Sequence, residues 1–292
     1  MNHEHDHSDS STFKLAFIVT IILVIAKAWG GIWANSLALE ADAVHSVSDV
    51  AALGLAWYAD RLQRRPPSQR MSFGWGRTEI LIGLLNAVVL WILAAWFLWQ
   101  AWHQWIHPVI TNAPVMAVTA ILALITNTIL AMAFSHGDDF NRRSTFWHLL
   151  TDAAGSAGVL VAAGILGVFG WLPINSVITV AIAILMVWGS WGIIRDTLHV
   201  LLESTPKDIS LQAIMASLEA VPGVERVHDL HAWTVGSHQL ALACHVTMMP
   251  TTPISDSQTL LCQLHDLLAS YGIHHTTIQM ETADEIHSEP DW

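Results

Sequence analysis

The chain has 292 residues, 53% of them hydrophobic and 12% charged, with 15 Trp; that is more apolar surface than a soluble domain can hide, which excludes a purely soluble protein. A formal net charge of -12 argues against nucleic acid as a partner, because a phosphate-binding surface needs a concentrated basic patch, whereas metal ions and other cations fit. Cys244 and Cys262 are too few for a disulfide framework.

Residues 1–12 form a polar tail in which His3, His5 and His7 alternate with acids, a composition that suits loose metal capture and a solvated tail equally. It has neither the basic start nor the small-residue cleavage site of a signal peptide. Residues 13–202 then carry six apolar stretches, at 13–36, 38–60, 78–101, 112–135, 144–169 and 174–198. Each reaches the length of about 20 residues that a helix needs to cross a bilayer. The second is the least apolar, because Asp42, His45, Ser46, Ser48 and Asp49 lie within it.

Arg61, Arg64, Arg65, Arg70 and Arg77 lie between spans two and three, Arg142 and Arg143 between four and five, and Arg195 and Lys207 around the end of six, while the loops near 35, 105 and 171 have no Lys or Arg. Short basic loops stay inside, so both termini are expected in the cytoplasm. Trp96, Trp99, Trp102 and Trp171 read as an aromatic belt at the outer interface.

Residues 203–285 change character: acids far outnumber Lys207 and Arg226, and the apolar runs shorten. A helix opening near Pro206 and Asp208 ends at Pro222-Gly223. Runs Val224 to Val235 and Gln239 to Met248 form a hairpin turning at Gly236-Ser237-His238, a helix covers 255–270 up to Gly272, and His275 to Glu281 is a last strand. The order α-β-β-α-β predicts a small α+β domain with its helices on one face of the sheet. Residues 286–292 are left as a tail.

Ionisable residues inside a span need a reason. His45 and Asp49 lie four apart on span two, and His148 and Asp152 four apart on span five, so each pair projects from one helix face. At 1.5 Å per residue, Asp49 lies about 16 Å from the outer edge and Asp152 about 12–13 Å from the inner edge. In a core about 30 Å thick, these levels nearly coincide. One such pair would serve equally as a hydrogen bond between packed helices; two at matched depth make a ligand set. Haem ligation by His45 and His148 would leave both carboxylates unexplained. Two neutral imidazoles and two carboxylates suit a tetrahedral Zn²⁺ and cancel its charge, and the same ligands take protons when the metal leaves. The ion is left open among Zn²⁺, Cd²⁺, Co²⁺ and Ni²⁺, whose preferences overlap.

The stretches Ser36-Leu37-Ala38-Leu39, Ala41 to Asp49, Phe73-Gly74-Trp75-Gly76-Arg77, His148-Leu149-Leu150-Thr151-Asp152 and Val227-His228-Asp229-Leu230-His231-Ala232-Trp233 resemble, in order along nearly the whole chain, the zinc-exporting branch of the cation diffusion facilitator family. The resemblance implies a six-helix membrane domain with a C-terminal α+β, ferredoxin-like cytoplasmic domain. It also implies a homodimer, and Zn²⁺/H⁺ antiport through His45, Asp49, His148 and Asp152 without enzymatic chemistry. It further implies that His228, His245 and Glu281 bind a regulatory Zn²⁺ in the cytoplasmic domain, with His231, His238, His265, His274 and His275 outside that set. Arg77 matches a basic residue that in some relatives joins an inter-subunit salt-bridge lock, but no acidic partner for it is evident, since Met215 stands about where that partner would fall. The rival from another class is a membrane-anchored metal sensor that transports nothing. Lys27, deep in span one, either snorkels to the interface or pairs with Glu40 or Asp42; Asp42, one turn before His45, could orient that imidazole.

Overall fold

The computed structural model describes residues 5–135, 140–236, 239–249 and 253–282, and the side chains of these apart from 5–15, 140–142, 144 and 254–255. His3, the side chains of His5 and His7, His238 and the expected tail 286–292 lie outside the described residues. The apolar stretches become six long helices: α1 (His5–Ala34), α2 (Leu37–Gln63), α3 (Arg77–Ile106), α4 (Ala113–Phe134), α5 (Phe140–Phe169) and α6 (Ile174–Leu201). Breakers set several ends: α2 stops before Pro66-Pro67, α3 before Pro108, and Gly170 follows α5 at φ +65°. The third helix runs five residues beyond the expected 101, because Trp102, His103 and Trp105 continue its turns until the proline.

Five of these helices, counting the Ala16–Ala34 part of α1, are long and apolar enough to cross a membrane among the described residues. The exception is α2, which has the length, 27 residues, but carries Glu40, Asp42, Asp49, Asp60 and Arg61.

Two compact units form, one of Met1–Leu55 with Leu85–Gly192 and one of Ala56–Leu84 with Ile193–Trp292. The first turns much of its large apolar surface outward, around a core that mixes small residues with Leu39, Phe97, Met116 and Met186. Ala34, Ala38, Ala41, Ala94, Ala120, Ala162 and Ala183 are buried in its core, whereas Ile22, Trp29, Trp33, Leu85, Ile92 and Trp188 face outward. Small side chains let helices approach closely, and large apolar ones cost nothing against hydrocarbon. Polar contacts then fix how the helices meet. The Asn175 carboxamide oxygen on α6 accepts from the Ser36 hydroxyl at 2.9 Å and from the Ala38 N–H at 3.2 Å, holding the start of α2. Trp91 Nε1 donates to Ser190 Oγ at 3.0 Å between α3 and α6.

In the second unit, α7 (Leu211–Glu219), β1 (Val224–Gly236), β2 (Gln239–Met248), α8 (Ile254–Ser270) and β3 (His275–Thr282) follow the expected order. The first helix starts later than Pro206, because Ser210 caps it by accepting from the Ala213 N–H at 3.3 Å. The sheet order is β1-β2-β3, with β1 antiparallel and β3 parallel to β2. Ile214 and Leu218 of α7 and Leu260, Leu264 and Leu268 of α8 share one core with Val227, Leu242, Cys244 and Val246, so both helices cover the same face. Burial of Cys244 pushes its thiol up to about 11.

Two close approaches occur here. A Cβ on Gly236 would lie 2.9 Å from Gly76 Cα, a backbone-to-backbone contact that only glycine tolerates. Arg77 pairs with Glu203 of the same chain, at 2.8 Å, an acidic partner that the sequence did not make evident. Glu203 lies just past α6 with φ +56°; this left-handed turn at the helix end aims its side chain at Arg77.

Candidate metal centres

The first centre lies wholly within the helical unit. Spacing of one turn puts His45 and Asp49 on one face of α2, and His148 and Asp152 on one face of α5. Packing turns the two faces together: His45 Nε2 and His148 Nε2 each lie 3.8 Å from Asp49 Oδ2, and His148 Nε2 lies 3.7 Å from Asp152 Oδ2. Ligand atoms of His45, Asp49 and Asp152 all fall within 4.8 Å of one another. Four atoms held about 2.0–2.1 Å from a zinc ion would stand about 3.3 Å apart in a tetrahedron. The three nitrogen–oxygen separations of 3.7–3.8 Å are too long for hydrogen bonds and a few tenths of an ångström wider than that cage, while His148 does not join His45, Asp49 and Asp152 in the set held within 4.8 Å.

Asp49 Oδ2 is shielded from solvent yet accepts no hydrogen bond among the described residues. An orphaned anionic oxygen between two imidazoles is costly unless a cation or proton fills the space. A simple hydrogen bond between packed helices, the bland alternative for each pair, is not what the distances describe.

Next to this centre is a second buried polar group. Lys27 on α1 is only 1% exposed, so it does not snorkel. Its Nζ lies 2.9 Å from Asp42 Oδ2 and donates to Ser46 Oγ at 3.1 Å, and the Ser46 hydroxyl in turn donates to the Asp42 carbonyl at 3.1 Å. Of the outcomes the sequence left open, pairing with Asp42 is the one found. That pairing overturns the idea that Asp42 orients His45, since His45 Nδ1 has no hydrogen-bond partner among the described residues.

The other centre is built on strands. His228 of β1 sits directly opposite His245 of β2 in the register, their ring centroids 5.2 Å apart. On β3, Gln279 pairs with His245 and Thr247 pairs with Glu281, so alternation puts Glu281 on the histidine face, away from α7 and α8. Glu281 Oε1 lies 2.9 Å from His245 Nδ1 and Oε2 lies 3.4 Å from His228 Nε2. Gln279 Nε2 donates to Glu281 Oε1 at 2.6 Å and steadies the carboxylate. His228 and Glu281 are each 5% exposed. The three residues named from the resemblance are therefore together.

Sequence reasoning passed over Asp229. A bulge separates the pairs His228/His245 and His231/Ala243, and Asp229 takes φ +47° within it. The extra residue returns Leu230 to the core and brings Asp229 Oδ1 to 2.8 Å from His231 Nε2 and Oδ2 to 3.8 Å from His245 Nε2. Asp-Leu between two histidines was visible as text, but the bulge that aims Asp229 was not.

Two family models match the chain. The cation efflux transmembrane domain matches residues 13–202 and the cytoplasmic domain of cation efflux proteins matches 206–283. A cadmium, cobalt and zinc/H(+)-K(+) antiporter of Bacillus velezensis is 34% identical over 98% of this chain and 94% of its own length. The metal cation efflux system protein CzcD of Cupriavidus metallidurans is 34% identical over 96% of this chain and 90% of its own. The zinc transporter ZitB of Escherichia coli is 32% identical over 96% and 93%.

Proposed function

The chain belongs to the cation efflux, or cation diffusion facilitator, family, a family of transporters and not of enzymes, and from that premise we propose that it exports Zn²⁺ from the cytoplasm in exchange for protons through His45, Asp49, His148 and Asp152. The observation that carries the reading is the position of Asp49 Oδ2, shielded and without a hydrogen bond among the described residues, 3.8 Å from an imidazole on each of two helices. A divalent ion there gains two nitrogen and two oxygen ligands and has its charge cancelled. Protons compete for the same lone pairs, so loading with metal releases protons and loading with protons releases metal. Alternation of the helices between two openings converts that competition into exchange.

In this reading α2 is the sixth span, its polar residues tolerated because they face the site. Arg61, Arg64, Arg65 and Arg70 then keep the loop after α2 in the cytoplasm, with both termini. Residues 13–202 form the membrane domain and 203–285 the cytoplasmic domain. His228, His245 and Glu281 bind a second, regulatory Zn²⁺ that favours the transporting state of a homodimer. The B. velezensis relative's name includes cadmium and cobalt, and the donor set alone does not exclude those ions.

The test is proton movement driven by zinc alone. Protein in vesicles enclosing a pH-sensitive dye, with equal pH on both sides, should alkalinise the lumen when Zn²⁺ is added outside, as zinc enters and protons leave. Zinc bound by the protein with no change in luminal pH contradicts exchange and leaves a membrane-anchored sensor.

A further inference from the structure

Along α2, Asp42, Ser46 and Asp49 fall at spacing i, i+4 and i+7, so they form one polar stripe about 10 Å long. Its far end is the metal centre. At its near end, Asp42 Oδ1 lies against α5, where a Cβ on Gly155 would be 3.5 Å away; Gly155 is three residues beyond Asp152 on the same helix face. The facing surfaces of α2 and α5 thus continue for one more turn past the ligands, and a carboxylate occupies that turn too.

Lys27 caps this carboxylate from α1. Lys27, Asp42 and Ser46 are 1%, 3% and 5% exposed. One turn further toward the start of α2, Ser36, Ala38 and Leu39 are 0% exposed and are held by Asn175 of α6. Stability does not account for the pair. Removing two charges from their solvent costs about as much as their attraction returns, and a well-packed apolar pair is often at least as stable. A lysine at this depth therefore needs a role in what the helices do.

We propose that Lys27 and Asp42 form the gate of the metal path, with the Lys27 ammonium holding the cation position next to the transport site. While the pair is closed, the ammonium neutralises Asp42 and repels a divalent ion at Asp49 and Asp152. When the helices shift and Lys27 leaves Asp42, that carboxylate becomes the first oxygen ligand a departing ion meets. Ser46, bonded to both Lys27 and the Asp42 carbonyl, ties the state of the gate to the turn of α2 that bears His45. The inference rests on the transport reading above and adds gate residues that are not themselves ligands of the site.

The experiment compares the native chain, Lys27→Gln/Asp42→Asn, Lys27→Arg and Asp49→Ala in zinc-loaded vesicles, measuring equilibrium Zn²⁺ binding and saturated flux separately. The neutral double variant avoids leaving one buried charge unpaired. It should bind zinc within about twofold of the native protein, while its turnover falls about tenfold or more, a loss of transition-state stabilisation without loss of ground-state binding. Lys27→Arg, which keeps the charge, should recover part of that turnover, and it serves with Lys27→Gln as the readout if the double variant does not fold. Native turnover in the charge-free variants overturns the gate, and so does a matching loss of binding and flux, which would make the pair a mere support for the ligands. Native protein with no flux sinks the transport reading itself, whereas flux lost only in Asp49→Ala sinks the gate alone.

Discussion

The helix-borne centre and the strand-borne centre use the same side chains, histidines and carboxylates, and come out differently. On the helices the donors stand 3.7–3.8 Å apart and Asp49 Oδ2 has no hydrogen bond among the described residues. On the sheet Glu281 Oε1 lies 2.9 Å from His245 and is braced by Gln279, while its Oε2, 3.4 Å from His228, also has no hydrogen bond among the described residues. A loosely held carboxylate between two helices that can move suits an ion that must leave. A braced carboxylate on a hydrogen-bonded sheet suits one that stays. Each helical pair is fixed by one helix turn, so the first centre depends on how α2 and α5 face each other; the second depends on strand register and on the core behind it.

That difference can be broken open by damaging the core of the second unit. Leu264 is fully buried between α8 and the sheet, so Leu264→Ala should cost about 2–5 kcal/mol. Thermal unfolding should show a lowered transition for the cytoplasmic domain, and zinc titration should show loss of the His228/His245/Glu281 site with the membrane site kept. Loss of both sites together would mean that they are not independent. A smaller effect sharpens the face assignment of β2. Cys244 points into the helix-covered core with its pKa raised to about 11, while its neighbour His245 points the other way. The protonated form of a thiol is unreactive, so between pH 7 and 9 a thiol reagent should label exposed Cys262 and leave Cys244 untouched, with labelling of Cys244 rising only as pH approaches 11. Zinc should not change either rate. Protection of Cys244 by zinc would place it among the ligands and contradict the register.

The same contrast explains what was legible in the sequence. The pairs His45/Asp49 and His148/Asp152 could be read directly, since i, i+4 is one helix turn whatever the tertiary fold. Element order in the cytoplasmic domain was legible too, because Gly and Pro punctuate it at Pro222-Gly223, Gly236 and Gly272. What escaped depends on contacts between distant segments. Lys27 had Glu40, Asp42 and the interface as possible partners, and only the packing of α1 on α2 chose Asp42. Glu203 was missed as the partner of Arg77 because a left-handed residue after α6 redirects it. Asp229 was missed because a bulge adds one residue and shifts the phase of β1.

The central claim is that the four side chains of α2 and α5 carry the transported ion. Zinc uptake into vesicles under an imposed pH gradient tests it most directly, in the native chain, in Asp49→Ala and in Asp152→Ala. The account predicts gradient-driven uptake by the native membrane site and a fall of about 100-fold or more in either aspartate variant, since losing a charged ligand removes both donor and charge compensation. Uptake that persists in both aspartate variants would contradict it.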